Sequence, residues 1–133
     1  VDIISDHQIS IFNNNRKYFY NTSYIVDGHN EVLIYDFKKE EMSSYLPKSL
    51  SREDVRTVSE GRSEILPNGD LFIEESNYSR TLYFNKDGSL RWTHVNRAKN
   101  GSVYRVSWSR ILYSQEDIQT VNYFLTNKRA CNE

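Results

Sequence analysis

Short apolar and aromatic runs recur along the chain, separated by polar clusters rich in Asn, Asp and Gly. Runs of this length bounded by turn-forming residues are typical of β-strands joined by tight turns. Ten tyrosines, six phenylalanines and two tryptophans agree with this, since aromatic side chains suit the half-buried surface of a pleated sheet. The pattern therefore predicts a mostly β protein.

Two stretches, residues 6–46 and 60–96, can be overlaid on one another as copies of one repeated unit. Each copy contains four short strand-like runs. The runs are 6–12, 18–20, 31–37 and 42–46 in the first unit, and 60–66, 70–75, 81–84 and 90–95 in the second. We expect each unit to fold as a four-stranded antiparallel sheet.

Two dipeptides in the second unit, Asn68-Gly69 and Asp87-Gly88, lie between strand-like runs. Glycine takes the positive φ that tight hairpin turns require, so these positions predict hairpins. The polar, non-periodic stretch 47–56 is predicted to be the connection between the two units.

The pattern changes towards the C-terminus. Residues 103–112 resemble the start of a third unit that is not completed, and 114–125 carry apolar residues at helical spacing after a potential N-cap at Ser114. We predict a short amphipathic helix there. The last residues, 127–133, which include the single cysteine Cys131, are expected to fray.

The fold prediction is all-β, with antiparallel four-stranded blade-like repeats forming a partial β-propeller and a short helix at the C-terminus. Residues 1–133 are interpreted as a single β domain or a fragment. A propeller normally needs at least four blades, so we expect self-association or a missing remainder of the chain. A compact sandwich or barrel is the structural alternative.

Composition excludes several classes of function. The 17 basic and 18 acidic residues nearly cancel and are scattered, which argues against nucleic acid and membrane surfaces as partners. No apolar run approaches the roughly 20 residues that cross a bilayer. One cysteine allows no internal disulfide, no metal-site pattern is present, and no cofactor is expected.

Two hairpin sequences carry a family resemblance. Residues 63–73 contain Leu66-Pro67-Asn68-Gly69, and residues 79–92 contain Asp87-Gly88 followed by Trp92. This alternation resembles the blade repeat of the arylsulfotransferase family, over roughly residues 5–113. Residues 6–14 look like that family's histidine-bearing inner strand.

The resemblance implies transfer of a sulfuryl group from a phenolic sulfate ester to a phenol acceptor, through a sulfated histidine. It makes His7 the candidate catalytic residue and Arg62 and Arg105 candidate substrate-binding residues, and it implies a periplasmic or extracellular location. His29 and His94 fall elsewhere in the repeat, which departs from the family's multi-histidine site. The isolated chain is expected to be inactive, as part of a site completed by further blades.

The alternative function is a non-catalytic propeller-like module that binds a protein or carbohydrate. Only the enzyme interpretation requires His7 to face a channel. Trp92 and Trp108 are expected to pack between repeat units. Glu74 and Glu75 are adjacent on one strand and should point to opposite faces, one at a buried edge and one solvated, so they cannot act on one substrate.

Overall fold

A computed structural model of the chain describes residues 1–19 and 23–127. The ten strands are β1 Asp2–Ser5, β2 Gln8–Asn13, β3 Arg16–Phe19, β4 Ser23–Val26, β5 Glu31–Asp36, β6 Glu41–Tyr45, β7 Arg62–Ile65, β8 Leu71–Glu75, β9 Arg80–Phe84 and β10 Leu90–Val95. The helices are α1 Pro47–Arg52 and α2 Gln115–Asn127, and a 3-10 turn spans Ser76–Tyr78. The predictions made for Tyr20, for residues 128–133 and for Cys131 lie outside the described residues.

The strands form two four-stranded antiparallel sheets. The first sheet has the order β1-β2-β5-β6 and the second β7-β8-β9-β10, and β3 pairs with β4 in a separate two-stranded ribbon. In both sheets the strands follow chain order from one edge to the other. The prediction of a mostly β fold with four-stranded antiparallel sheets and a short C-terminal helix is confirmed. Within the described residues, no sheet closes into a barrel.

The membership of the first sheet differs from the prediction. The run at 18–19 lies in β3, and the fourth place in the sheet is taken by β1, which was not predicted. β3 pairs with β4 from Arg16↔Val26 to Phe19↔Ser23, a local hairpin with little loop to close. His7 is also displaced: it lies in the turn between β1 and β2 rather than in a strand.

The second sheet matches its prediction closely. β8 pairs with β7 and β9 along its length, and the two predicted turns connect β7 to β8 and β9 to β10. Gly69 and Gly88 have φ of 86° and 84°, as the hairpin geometry requires. The backbone N–H of Gly69 donates to the Leu66 carbonyl at 2.8 Å, and that of Gly88 to the Asn85 carbonyl at 2.8 Å.

Two connecting segments differ in part from their predictions. The stretch 47–56 connects the two sheets, as predicted, but it begins with α1, whose Leu50 is fully buried in the core. Residues 103–112 form no strand and make only an isolated bridge, Arg97↔Val103. Part of this second segment bonds to side chains of the second sheet instead of to a neighbouring strand, as described below.

The main core lies between the two sheets. It contains the buried side chains Val32, Leu50, Val55, Leu71, Ile73, Leu82 and Phe84. A smaller apolar cluster of Leu66, Phe72 and Tyr83 lies on the opposite face of the second sheet, where Ile111 packs against it. The second sheet is therefore covered on both faces.

Helix α2 begins as predicted. The Ser114 hydroxyl accepts a hydrogen bond from the backbone N–H of Asp117 at 3.0 Å, the geometry of an N-cap. None of its residues is buried, and its exposed side includes Phe124 and Leu125. Neither helix in the described part of the chain is long and apolar enough to span a membrane.

A buried ion pair fixes the connection between the sheets. Glu75, which is 1% exposed, pairs with Arg80 and also accepts a hydrogen bond from the Arg56 backbone. Arg80 donates in addition to the carbonyls of Glu53 and Asp54, at 3.2 and 3.1 Å. The expectation that one of the two adjacent carboxylates is solvated is therefore wrong, since both are buried.

We expect Arg80→Met to lower the free energy of unfolding by about 3–5 kcal/mol, because it leaves the Glu75 charge buried without a partner. Urea denaturation measures this change. The matched control is Arg56→Met, which removes an exposed pair with Asp54 and should cost at most about 1 kcal/mol. Equal effects of the two substitutions would contradict the assignment of Glu75 as a buried charge.

Candidate functional site

A cleft of about 500 Å³ opens beside the edge strands of the two sheets. Asp2 of β1 and Arg62 of β7 line it, together with the buried Glu74 of β8. Its remaining wall includes Ser107, Trp108, Arg110 and Glu60. The cleft thus has strands on one side and the irregular segment 107–110 on the other.

A second cleft of about 490 Å³ adjoins the first along the same two strands. It is lined by Ile3 and Ile4 of β1 and by Ile65 of β7, and it shares Asp2 and Arg110 with the first cleft. Because residues near the start of each strand line one cleft and residues further along line the other, β1 and β7 run in the same direction. Arg110 stands where the two clefts meet.

The approach of the two sheets at this cleft depends on Gly61. A Cβ atom at this position would lie 2.5 Å from the Thr57 methyl and 2.8 Å from the Phe12 ring. Neither distance is tolerated between carbon atoms, so a larger residue here would push the start of β7 away from β2.

The wall formed by 107–110 is anchored at Ser109. The backbone N–H of Ser109 donates to Oε2 of Glu74 at 2.6 Å, and its carbonyl accepts from Nη1 of Arg62 at 2.7 Å. Both partners are charged side chains of the second sheet, and charge-assisted hydrogen bonds are stronger than neutral ones. The polar backbone of Ser109 is therefore satisfied without a neighbouring strand.

Glu74 is held in its charged form. Burial by itself raises the pKa of this carboxyl, but hydrogen bonds from Ser109 and Ser76 and the nearby Arg62 guanidinium outweigh burial and lower the pKa below its ordinary value. Ser76 Oγ lies 2.8 Å from Oε1 of Glu74. Both carboxylate oxygens thus have a partner, as a buried charge requires.

Trp108 adopts a left-handed backbone conformation, with φ of 60°. Bulky residues rarely enter this region, and such conformations cost about 1–3 kcal/mol. The side chain is 77% exposed. The expectation that Trp108 packs between repeat units is therefore wrong in the described structure. Trp92 packs within the second sheet rather than between units, stacked on Tyr83 at a centroid distance of 5.6 Å.

The two arginines of the cleft differ in what they already bind. Arg62 uses one nitrogen for the Ser109 carbonyl and lies 3.3 Å from a carboxylate oxygen of Glu64. Arg110 makes no hydrogen bond or ion pair with any residue in the described ranges. Its guanidinium is thus the one in this cleft whose donors are all open to a ligand.

A comparison with known protein families matches residues 1–97 to the family described as Arylsulfotransferase (ASST). The matched range covers both four-stranded sheets and ends just after β10. The chain belongs to the arylsulfotransferase family. The resemblance recognised in the hairpin sequences is confirmed, although the match ends before segment 107–110 and α2. No curated protein matches the chain at a significant level, and neither does any solved structure.

The arylsulfotransferase resemblance pointed to three site residues, and the structure does not gather them in one place. Arg62 lines the first cleft. His7 lies beyond the opposite end of β1, with Nε2 3.9 Å from Oδ2 of Asp36 and Nδ1 3.5 Å from the Ser5 hydroxyl. Arg105 is exposed and lines neither cleft among the described residues. The roles assigned to them stay predictions.

Three residues of the cleft were missed as site candidates: Glu74, Trp108 and Arg110. Glu74 follows an apolar run in β8, and an acidic residue there indicates a buried, partnered carboxylate. No local pattern separates Arg110 from Arg105, since both fall in the segment first interpreted as a strand. Arg110 differs from Arg105 in lining the clefts, and this follows from the contacts of the neighbouring Ser109 with the second sheet.

Acid should weaken the native state through Glu74. Because its pKa is lowered by folding, the carboxylate stabilises the protein above the ordinary value of 4.5, and this contribution disappears as pH falls through the lowered pKa. The free energy of unfolding of Glu74→Gln should therefore fall less steeply than that of the wild type between about pH 5 and pH 3.

Urea titrations at a series of pH values measure these slopes. Glu60→Gln, which changes an exposed carboxylate at the same cleft, is the control and should follow the wild type. A Glu74→Gln slope identical to that of the wild type would show that this carboxyl does not contribute to acid sensitivity.

Proposed function

We propose that this chain contributes the anion-binding wall of a sulfate-ester transfer site in an arylsulfotransferase-like β-propeller. The observation that carries the proposal is the unpartnered guanidinium of Arg110 at the junction of the two clefts, on a scaffold that belongs to this family. Two sheets are fewer than the four blades that a closed ring needs. Further blades supply the rest of the site.

The chemistry of the cleft suits a monoanionic sulfate ester. A planar guanidinium presents paired N–H donors that match two oxygens of such an anion. Arg62 adds a second positive charge nearby, although its donors are partly committed to Ser109 and Glu64. Three carboxylates, Asp2, Glu60 and Glu74, also line the first cleft. The Glu74 charge is engaged by its own hydrogen bonds, which limits its repulsion of the ligand.

His7 is the proposed nucleophile. A neutral imidazole nitrogen attacks the sulfur of the aryl sulfate, an N–S bond forms, and the S–O bond to the phenol breaks as the phenolate leaves and takes up a proton. An acceptor phenol then attacks the sulfur, loses its proton and restores the imidazole. Asp36 beside His7 would stabilise the cationic sulfated ring.

The position of His7 limits how it can take part in sulfuryl transfer. From Asp2 to Ser5, β1 extends roughly 10 Å, and His7 follows its far end. The second cleft, lined by Ile3 and Ile4, extends along β1 in that direction. His7 itself lines neither cleft, so transfer requires the ester to move from Arg110 towards the end of β1.

We expect Arg110→Gln to weaken binding of phenyl sulfate by about 10- to 100-fold, since a charged hydrogen-bonding partner is lost. Isothermal titration calorimetry with the full chain measures the dissociation constant. Arg97→Gln is the matched control: it removes an exposed arginine outside both clefts, and should leave affinity within about twofold of the wild type. An equal loss in both variants would overturn the assignment of Arg110.

The nucleophile is tested separately. After incubation of the full-length protein with 4-nitrophenyl sulfate, mass spectrometry should detect one added sulfuryl group on His7, and His7→Gln should abolish it. His94→Gln, on the outer strand β10, should retain the label. A sulfuryl adduct that persists in His7→Gln would assign the nucleophile to another residue.

The second candidate function is a non-catalytic module that binds a protein or carbohydrate. The exposure of Trp108, Tyr104 and Tyr113 favours it, because large exposed aromatics supply contact area for such ligands. Carbohydrate binding that depends on these rings, with no affinity for phenyl sulfate, would favour this module over the transferase.

A further inference from the structure

Trp108 combines three properties that an ordinary surface residue does not share. Its backbone is in the left-handed region, its ring is 77% exposed, and it lies at the cleft two residues before the unpartnered Arg110. A bulky residue kept in such a conformation requires surroundings that impose it, and these conformations cluster at ligand sites.

The constraint comes from the residue that follows. Ser109 is held by Glu74 through its N–H and by Arg62 through its carbonyl, so the backbone on the C-terminal side of Trp108 cannot turn freely. Glu74 is itself almost fully buried and is fixed by Ser76. The indole is therefore presented from an immobilised backbone, as a preorganised binding surface requires.

The other tryptophan provides a comparison within the same chain. Trp92 is 38% exposed and makes ring contacts with Tyr83 and Phe72, with centroids 5.6 and 6.3 Å apart. Packing accounts for the position of Trp92. No ring contact of Trp108 is present in the described structure, and packing does not account for its conformation.

We propose that Trp108 is the specificity-determining residue that makes the cleft prefer aromatic over aliphatic sulfate esters, and that Glu74 is the positioning residue that holds it there. The inference rests on the proposed function, because it assigns the wall that receives the aryl group of the ester. Arg110 binds the anionic end, and the indole face stacks on the aromatic ring next to it.

Phenyl sulfate and cyclohexyl sulfate test this proposal, since they share one anion and a six-membered ring but differ in aromaticity. By calorimetry, the wild type should bind phenyl sulfate about 3- to 10-fold more tightly, the range expected of one aromatic stacking pair. Trp108→Leu retains apolar bulk and should reduce this ratio to about one while leaving the affinity for cyclohexyl sulfate within about twofold. Trp92→Phe is the matched control and should keep the wild-type ratio.

The positioning role of Glu74 is tested by the same ratio of the affinities for phenyl sulfate and cyclohexyl sulfate. Glu74→Gln keeps an acceptor for the Ser109 N–H and should retain the preference for phenyl sulfate, whereas Glu74→Leu removes the acceptor and should reduce the ratio towards that of Trp108→Leu. Thermal unfolding of each variant verifies that it is folded. A folded Glu74→Leu variant with the wild-type ratio would overturn the positioning role, and Trp108→Leu, altered at an exposed site, tests the specificity role independently.

The outcomes separate this inference from the proposed function. Equal affinity of the wild type for the two esters, with both affinities lost in Arg110→Gln, would overturn the role of Trp108 and leave the anion-binding wall in place. Failure of the wild type to bind either ester would overturn the proposed function and this inference with it.

Discussion

Strand β8 is buried along its whole length and on both faces, and this constraint organises the rest of the molecule. Its sequence ends in two adjacent carboxylates, Glu74 and Glu75, which point to opposite faces of the sheet. A buried carboxylate is tolerated only where charged or hydrogen-bonding partners replace water. Each face must therefore bring donors to β8, and each does so with a different part of the chain.

On the face of Glu75, the donors come from Arg80 and from the backbone of Arg56. Because Arg80 also binds the carbonyls at Glu53 and Asp54, the same interaction fixes the connection that carries α1 and links the sheets. On the face of Glu74, the donors are the Ser109 backbone and the Ser76 hydroxyl, and the bond to Ser109 shapes the wall of the cleft. The link between the sheets and the candidate site thus depend on two faces of one strand.

The sequence predicted those features whose cause is local. Asn68-Gly69 and Asp87-Gly88 placed both hairpins of the second sheet correctly, because glycine with positive φ determines the turn whatever surrounds it. The first sheet was only partly predicted, since strand-like runs do not specify which partner they pair with. The run at 18–19 joined the local hairpin β3–β4, and β1 took the edge position.

The site was less predictable, because it too depends on which distant parts of the chain come into contact. Arg62 was identified through the repeat, and the opposite orientations of Glu74 and Glu75 followed from the period of two along a strand. Segment 107–110 has no regular structure, and its shape comes from partners 35 and 47 residues away in sequence. Long-range contacts of this kind leave no periodic pattern, so Arg110 was indistinguishable from Arg105, and Trp108 was assigned to packing.

The way in which this segment is anchored separates the scaffold from the side chains that are proposed to contact the ligand. Both charged anchors, Arg62 and Glu74, lie within the range matched to the arylsulfotransferase family, whereas Ser109 lies beyond it. The anchors bind the backbone N–H and carbonyl of Ser109, groups that any residue but proline provides. Side chains at positions 108 and 110 are therefore free to change without loss of these two hydrogen bonds. A scaffold that binds a segment through its backbone in this way allows the side chains of that segment to change, and with them the ligand, while the core stays the same.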